Sequence, residues 1–229
     1  MHKITLLLTI SALLLFCLFV LGCSGEKQEE KTVTDIKEKV IIPQEKIALW
    51  NGKDFTGWKL FLTDEKVDVN KVWSVKDGVI NCTGVPNGYM RTENDYKDYK
   101  LTLEWRWPQD PGNSGVLLHM SEPDMVWPKS IEAQLQADNA GDIWLIGGTE
   151  VLEHTDKTQR RIEKKEKSSE KELGEWNKYE IICDGNSIEI YVNGVLQNVG
   201  TEASVTSGKI CLQSEGKPIQ FRNIFLEPL

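Results

Sequence analysis

Apolar and polar residues alternate through many short segments of the chain after residue 47. In "YKLTLEWRWP", every second residue from Leu101 to Trp107 is apolar, with Thr102, Glu104 and Arg106 between them. A period of two is typical of a strand that buries one face. Asp-Gly and Asn-Gly turns follow such segments in "VKDGVI", "ICDGNSI" and "YVNGVL". This pattern predicts an all-β antiparallel two-sheet sandwich or jelly roll.

Further strands are predicted in the second half of the chain. "SGVLLHM" is a short apolar strand, and "WNKYEIICDGNSIEIYVNGVLQNV" contains three strands. "GKICLQSEGKPIQFRNIFLEPL" reads as a final pair of strands joined by a turn that starts at Glu215. The exception is the charged segment Glu153–Gly174, which has few large apolar residues. It predicts a long solvated loop or a short exposed helix.

The first 46 residues do not resemble the rest. Lys3 is followed by an apolar run from Ile4 to Leu21, which is typical of an export signal, although a run of about 18 apolar residues also suits an uncleaved membrane anchor. "VLGC" resembles a bacterial lipobox, which implies a signal peptide over residues 1–22 and a lipid on Cys23. Residues 23–46 are charged and lack aromatic residues, so we expect a tether. The protein is thus expected in the bacterial cell envelope, lipid-anchored, on the periplasmic or cell-surface side.

The charge of the chain limits which partners the predicted domain, residues 47–229, can bind, and the cysteine spacing indicates the state of its cysteines. The chain has 27 basic and 35 acidic residues, and removal of the signal peptide takes away Lys3, which leaves 26 − 35 = −9. A negative charge without a basic cluster argues against nucleic acid, and any membrane contact is expected through the lipid alone. Cys82, Cys183 and Cys211 lack C-x-x-C spacing. They are predicted as buried apolar residues, with a Cys183–Cys211 bridge as the alternative.

One predicted strand carries an unusual polar face. In "SIEAQLQ", three apolar residues alternate with Glu132, Gln134 and Gln136. A row of one acid and two amides, with Trp127 and Trp144 nearby, is suited to sugar hydroxyls and to the apolar faces of sugar rings. On other predicted strands, Glu104 shares a face with Arg106, and His119 shares a face with Leu117. The remaining tryptophans of the domain fit the core equally well; these include Trp105, Trp107 and Trp176.

Several blocks together resemble the 3-keto-disaccharide hydrolase domain family. They are "ALWNGKDFTGWKLF", "EWRWPQDPGNSGVLLHM", "WPKSIEAQLQADNAGDIWLIGG", "GEWNKYEI", "IYVNGVLQNV" and "GKICLQSEGKPIQFRNIFLEPL". The resemblance covers residues 47–229 except Glu153–Gly174, and it departs at Glu215, where many members carry His. It implies a concanavalin A-like jelly roll with a ligand groove on its concave face. Glu132, Gln134 and Gln136 would line that groove.

The resemblance also implies a chemistry. A ketone at C3 of a glucosyl unit acidifies the C2 proton, so a base can start an elimination that water addition turns into net hydrolysis. Glu132 or His119 is the expected base, and Arg106 the expected group that stabilises the enolate. Sugar hydroxyls would be bound by the amides Asn113 and Gln134. The full set of expected sugar contacts is Glu104, Asn113, Gln134, Gln136, Trp127 and Trp144.

Two other functions remain open at this stage. A non-catalytic carbohydrate-binding, lectin-like module has the same fold, and so does an adhesion domain without a sugar ligand. An acid, a His and an Arg that converge at one groove would favour the enzyme, whereas a shallow groove with aromatic residues but no buried titratable group would favour the binding module. No cofactor is expected: Ca²⁺ could bind near the turns in "DPGN" and "ADNAGD", but turn formation explains these Asp and Asn residues more simply. The expected partner is a small carbohydrate substrate.

Overall fold

The computed structural model describes residues 39–229, so the predicted signal peptide and Cys23 lie outside this range. The described chain forms two antiparallel β-sheets, as the sequence predicted, and a single-turn 3₁₀ helix at Val69–Lys71. Among these residues there is no helix of the length and apolarity that crossing a membrane requires. Ile41 hydrogen-bonds with the backbone beside Tyr96. The last residues of the predicted tether therefore contact the domain.

The first sheet has eight strands. In chain order they are β1 (Ile47–Ala48), β3 (Trp73–Lys76), β4 (Val79–Cys82), β6 (Tyr99–Arg106), β11 (Asn177–Asp184), β12 (Ser187–Val192), β13 (Val195–Gly200) and β15 (Ile219–Glu227). Their spatial order is β13-β12-β11-β6-β15-β4-β3, and β1 pairs with β15. The predicted hairpins are confirmed. At the β3–β4 turn, Asp77 and Gly78 both have positive φ (51° and 78°), as a type I′ turn requires.

The second sheet has seven strands. They are β2 (Trp58–Leu62), β5 (Gly88–Thr92), β7 (Gly115–Met120), β8 (Ser130–Gln134), β9 (Ile143–Ile146), β10 (Arg161–Ile162) and β14 (Lys209–Ser214). Their spatial order is β10-β9-β8-β7-β14-β5-β2. The prediction of a final hairpin is wrong, because β14 and β15 belong to different sheets. The turn after Ser214 therefore crosses from one sheet to the other.

The core lies between the two sheets and explains the alternating pattern. Ile131, Ala133 and Leu135 are fully buried there, opposite inward-facing residues of β6 such as Leu103 and Trp105. Because successive side chains of a strand point to opposite faces, Glu132 and Gln134 lie on the outer face of the seven-stranded sheet. The three cysteines of the described residues are buried and free, so the Cys183–Cys211 bridge is absent. Cys183 and Cys211 lie on different sheets.

The charged segment Glu153–Gly174 is a loop, but it is not free of the sheets. Its residues Arg161 and Ile162 form β10 and pair with β9 at the edge of the seven-stranded sheet. On the other side, the Asn198 side chain of β13 donates hydrogen bonds to the carbonyls of Ile162 (3.2 Å) and Glu163 (3.3 Å). The segment therefore links the edges of the two sheets. The sequence did not predict this because most of the contacts use backbone or charged groups, and Ile162 is the apolar residue of the segment that packs against the core.

Candidate active site

A pocket of about 240 Å³ lies on the outer face of the seven-stranded sheet. Its lining combines two indoles with acids, amides and one cation: Asn113, Trp127, Glu132, Gln134, Trp144, Ile146, Arg160, Gln213 and Glu215. Sites for drug-sized ligands usually measure ~300–1,000 Å³. The volume therefore suits one sugar ring with part of its substituent.

The floor of the pocket is formed by polar side chains of two strands, and the strand pairing brings them together. Glu132 and Gln134 project from β8, and Gln213 projects from β14, with β7 between the two strands. On β7, Gly115 pairs with Gln134, and a Cβ atom there would overlap the Glu132 carboxylate and the Gln213 amide. The missing side chain at position 115 is thus what gives these two polar groups their space above the sheet.

Glu132 is a buried carboxylic acid at the floor of the pocket. The residue is only 6% exposed, and burial raises the pKa of its carboxyl group from 4.5 to about 8. The charge of Glu215 contributes to this rise in pKa, whereas the Gln213 amide and Arg160 oppose it. Gln213 lies close enough to stabilise the anion but outside the geometry of a regular hydrogen bond. A carboxyl group with a pKa near neutrality can both accept and return a proton.

Unpaired polar atoms are concentrated at this pocket. Within residues 39–229, twelve buried side-chain nitrogen and oxygen atoms have no hydrogen-bond partner, and five of them belong to four lining residues. They are Asn113 Oδ1, Glu132 Oε1, Trp144 Nε1, and Gln213 Oε1 and Nε2. Buried polar groups are normally paired, because each unpaired group costs about 1–3 kcal/mol. The clustering therefore indicates a site that binds a ligand rich in hydroxyl or carbonyl groups.

Gln134 presents a fixed amide to the pocket. Its side-chain Oε1 accepts hydrogen bonds from the backbone N–H groups of Leu135 (2.8 Å) and Gln136 (2.9 Å). Its main-chain carbonyl accepts one from the buried Tyr179 hydroxyl (2.9 Å). Because the carbonyl end of the amide is already occupied, the NH₂ group is the end available to a ligand.

A buried arginine holds the loop that carries Trp127. The Arg91 side chain is 3% exposed and donates two hydrogen bonds to Asp124 (2.7 and 2.9 Å) and one to Glu122 (2.6 Å). The Tyr89 hydroxyl donates a further bond to Asp124 (2.9 Å). The geometry with Asp124 is bidentate, the strongest form of such a pair. It fixes the loop between β7 and β8, and with it the indole wall of the pocket.

Three polar residues of the lining were not predicted from the sequence as site residues. Arg160 comes from the charged segment, which lies outside the sequence blocks that first indicated the family. Gln213 follows Ile210, Cys211 and Leu212 on β14, and this apolar run gave no sign of a polar site. Glu215 had a visible signal, since it stands where many family members carry His. Burial raises its pKa, and the Asn113 amide beside it lowers the pKa again.

The expected position of His119 beside Glu132 is wrong. Alternation along β7 would place His119 on the outer face with Leu117, but the β7–β14 pairing shifts its register here and His119 has a φ of 55°. The ring turns inward, with Nδ1 3.1 Å from the Val205 carbonyl and the ring 5.8 Å from that of Tyr99 in the core. Burial lowers the His119 pKa to about 4, so the ring is neutral at pH 7.

The expected positions of Arg106 and Glu104 are wrong as well. Both lie on β6, hence on the outer face of the other sheet. Arg106 donates to Gln220 Oε1 (2.6 Å), and Glu104 accepts from Arg222 (2.5 Å). Sequence alternation showed correctly that the two share a face, but it cannot show which sheet a strand joins. A larger cleft of about 670 Å³ lies beside them, where Arg222 neutralises the Glu104 carboxylate.

Gln136 also falls outside the pocket. Strand β8 ends at Gln134, and Gln136 is exposed in the following turn, where it accepts a hydrogen bond from Asn139 (3.3 Å). The structure therefore brings together five of the nine predicted site residues: Glu132, Asn113, Gln134, Trp127 and Trp144. Within residues 39–229 no three His, Cys, Asp or Glu side chains are grouped to hold a metal ion.

Several solved structures share the fold of this chain. A protein from Parabacteroides distasonis, named as a candidate glycosyl hydrolase, is 24% identical (TM-score 0.60) and covers 84% of this chain and 100% of its own. The carbohydrate-binding module CBM66 from Bacillus subtilis is 12% identical (TM-score 0.54; 75% and 95% covered). A B. subtilis protein with a galectin-like fold is 9% identical (TM-score 0.57; 83% and 97% covered). These likenesses show a concanavalin- or galectin-like jelly roll.

The family is shown by the sequence itself. No curated protein matches the chain. A family model, however, matches residues 45–227, which include both sheets and every lining residue of the pocket. The chain therefore belongs to the family of 3-keto-alpha-glucoside-1,2-lyase-like domains.

Proposed function

We propose that the protein is an enzyme that cleaves 3-keto-glycosides by elimination and hydration, with Glu132 as the base. Membership of the family supports a carbohydrate-related function. The observation that supports cleavage is the buried Glu132 carboxyl group, whose pKa is raised to about 8 at the floor of a sugar-sized pocket. A pocket that only binds sugars gains nothing from a buried acid without a partner, because the burial is costly.

The raised pKa fits the proton transfer that this reaction needs. Removal of the C2 proton leaves an electron pair that delocalises onto the C3 oxygen as an enolate. When the enolate collapses, a C1–C2 double bond forms and the C1–O bond to the aglycone breaks. The leaving oxygen takes the proton that Glu132 removed, which restores the carboxylate, and water then adds its hydroxyl to C1 and its proton to C2. A carboxylate with a pKa near 8 is a stronger base than an ordinary one, and at pH 7 about a tenth of it is ionised.

The remaining lining residues suit the sugar ring. In this proposal, the NH₂ group of Gln134 and the unpaired amide of Gln213, both in the pocket lining, bind hydroxyl groups of the sugar. Trp127 and Trp144 supply apolar surfaces at the sides. The mechanism requires one base rather than two carboxylates flanking the glycosidic bond, so Glu215 needs no direct role in bond cleavage.

The test is turnover of 3-keto-trehalose or 3-keto-sucrose, followed by release of the second sugar. The wild-type protein should release it, with kcat/KM rising with pH toward a midpoint near 8. Glu132→Gln should lower kcat by about 10²–10⁴-fold with a smaller effect on KM. Glu65→Gln, at an exposed glutamate, is the matched control and should leave the rate unchanged. Turnover by Glu132→Gln at the wild-type rate would show that Glu132 is not the base.

The second candidate is a non-catalytic carbohydrate-binding module, which the fold likeness to CBM66 favours. It predicts that the wild-type protein binds 3-keto and ordinary disaccharides with similar affinity and releases no sugar from either. Calorimetric titration of both ligands, together with the turnover assay, separates the two functions.

A further inference from the structure

Arg160 is the single cation among the residues that line the pocket, within the part of the chain that the structure describes. The elimination generates a negative charge on the C3 oxygen, and an anion in a partly buried pocket needs a donor or a cation. Arg106, expected in this role, lies on the other sheet. The other lining donors are neutral amides and an indole N–H.

The backbone of Arg160 is held at the edge of the pocket. Its carbonyl accepts a hydrogen bond from the Leu145 N–H on β9 (3.0 Å). The next residue, Arg161, pairs with Trp144 in the strand register and forms an ion pair (2.6 Å) with the buried Asp142. The ion pair of Arg161 therefore holds β10 in place, and the neighbouring Arg160 lines the pocket.

The side chain of Arg160 is free to meet a ligand. Its guanidinium lies 5.8 Å from the centroid of the Trp144 ring, which also lines the pocket. It makes no side-chain hydrogen bond or ion pair with any residue of the described range 39–229. This distance is within the range of a cation–π contact, which keeps the exposed guanidinium beside the pocket. Its charge also acts on the Glu132 carboxyl group.

We infer that Arg160 is the catalytic residue that stabilises the enolate oxygen at C3 of a 3-keto-glycoside while Glu132 removes the C2 proton. This inference rests on the proposed function. The guanidinium donates to the C3 oxygen, which is neutral in the bound ketone and negative after proton removal, so the interaction strengthens as the reaction proceeds. When the enolate collapses, the C3 carbonyl re-forms and the aglycone oxygen leaves with its electron pair and is protonated. Arg160 itself neither gains nor loses a proton.

The first test compares Arg160→Met and Arg160→Lys by steady-state kinetics on 3-keto-trehalose. Arg160→Met should lower kcat by about 10²–10³-fold with a smaller change in KM, as expected for a charge-stabilising donor. Arg160→Lys should recover part of the rate because it restores the charge without the planar fork. The matched control is Lys157→Gln in the same segment, because Lys157 is exposed and pairs with Glu150 outside the pocket. It should keep the wild-type rate.

A second measurement follows proton removal without bond cleavage. The wild-type protein should exchange the C2 proton of 3-keto-glucose with deuterium from D₂O, detected by NMR, and Arg160→Met should lose this exchange to a similar degree as turnover. The pH midpoint of kcat/KM should also move upward in Arg160→Met, because a positive charge that lowers the Glu132 pKa is removed.

The outcomes separate the two proposals. If the wild-type protein neither cleaves 3-keto-trehalose nor exchanges the C2 proton, the proposed function fails. If it does both and Arg160→Met stays within about twofold, Arg160 has no catalytic role. A rise in KM with unchanged kcat overturns the inference too, since it shows equal stabilisation of the substrate and the transition state. A folded Arg160→Lys variant, checked by circular dichroism, keeps the test decisive if Arg160→Met does not fold.

Discussion

The raised pKa of Glu132 should make the stability of the protein depend on pH in a way that a single substitution removes. In Glu132→Gln the shape is nearly kept, but the group no longer titrates. Between pH 4.5 and about 8 the native state holds a proton on Glu132 that the unfolded chain has lost. The native protein therefore binds more protons than the unfolded chain, and its stability falls as pH rises through this window.

The magnitude follows from the two pKa values. A shift from 4.5 to about 8 corresponds to about 5 kcal/mol in full, at 1.36 kcal/mol per pKa unit. At pH 5.5 about 1.4 kcal/mol of this cost is present, and at pH 8.5 about 4.6 kcal/mol. The free energy of unfolding of the wild-type protein should therefore fall by about 3 kcal/mol more than that of Glu132→Gln between these two pH values.

Equilibrium urea denaturation at pH 5.5 and 8.5, followed by tryptophan fluorescence, measures this difference. All other groups titrate in both proteins, so they cancel in the comparison. Glu65→Gln is the control and should track the wild type, because Glu65 is exposed. Wild-type and Glu132→Gln stabilities that change in parallel, within about 0.5 kcal/mol, would refute a buried carboxyl group with a raised pKa.

Three further predictions concern other parts of the chain. Gly115→Ala should destabilise the protein by about 1–3 kcal/mol in urea denaturation and lower turnover, since its methyl group overlaps the Glu132 carboxylate; an unchanged rate would contradict this packing. Arg91→Met should cost about 2 kcal/mol or more in thermal denaturation and raise KM, because Asp124 loses its bidentate partner; a wild-type KM would show that the loop needs no such anchor. Cys23→Ala should abolish lipid labelling of the expressed protein, and unchanged labelling would disprove the anchor.

The corrections to the site share one physical origin. Alternation assigns the residues of a strand to two faces, but it does not say which face looks toward which pocket. Arg106 and Glu104 were correctly placed together, yet β6 belongs to the eight-stranded sheet. The predicted position of His119 was wrong for a local reason: a register shift and a positive φ turn its ring into the core. A one-residue irregularity reverses the side-chain direction, and the residues "LLHM" give no sign of it.

The sequence alone determined the all-β sheet class, most of the strands and the polar strand that forms the pocket floor. Period-two alternation and Asp-Gly or Asn-Gly turns are local signals, so they were readable without a structure, and they identified Glu132 and Gln134 as an outward polar face. Only the tertiary structure decided which residues join them. Gln213 reaches the pocket from β14, and Glu215 reaches it from the turn that follows this strand. Arg160 reaches it from the charged segment. All three are brought there by pairings between residues far apart in the chain. The Glu132 pKa likewise depends on burial and neighbouring charges, which exist only after the strands have packed.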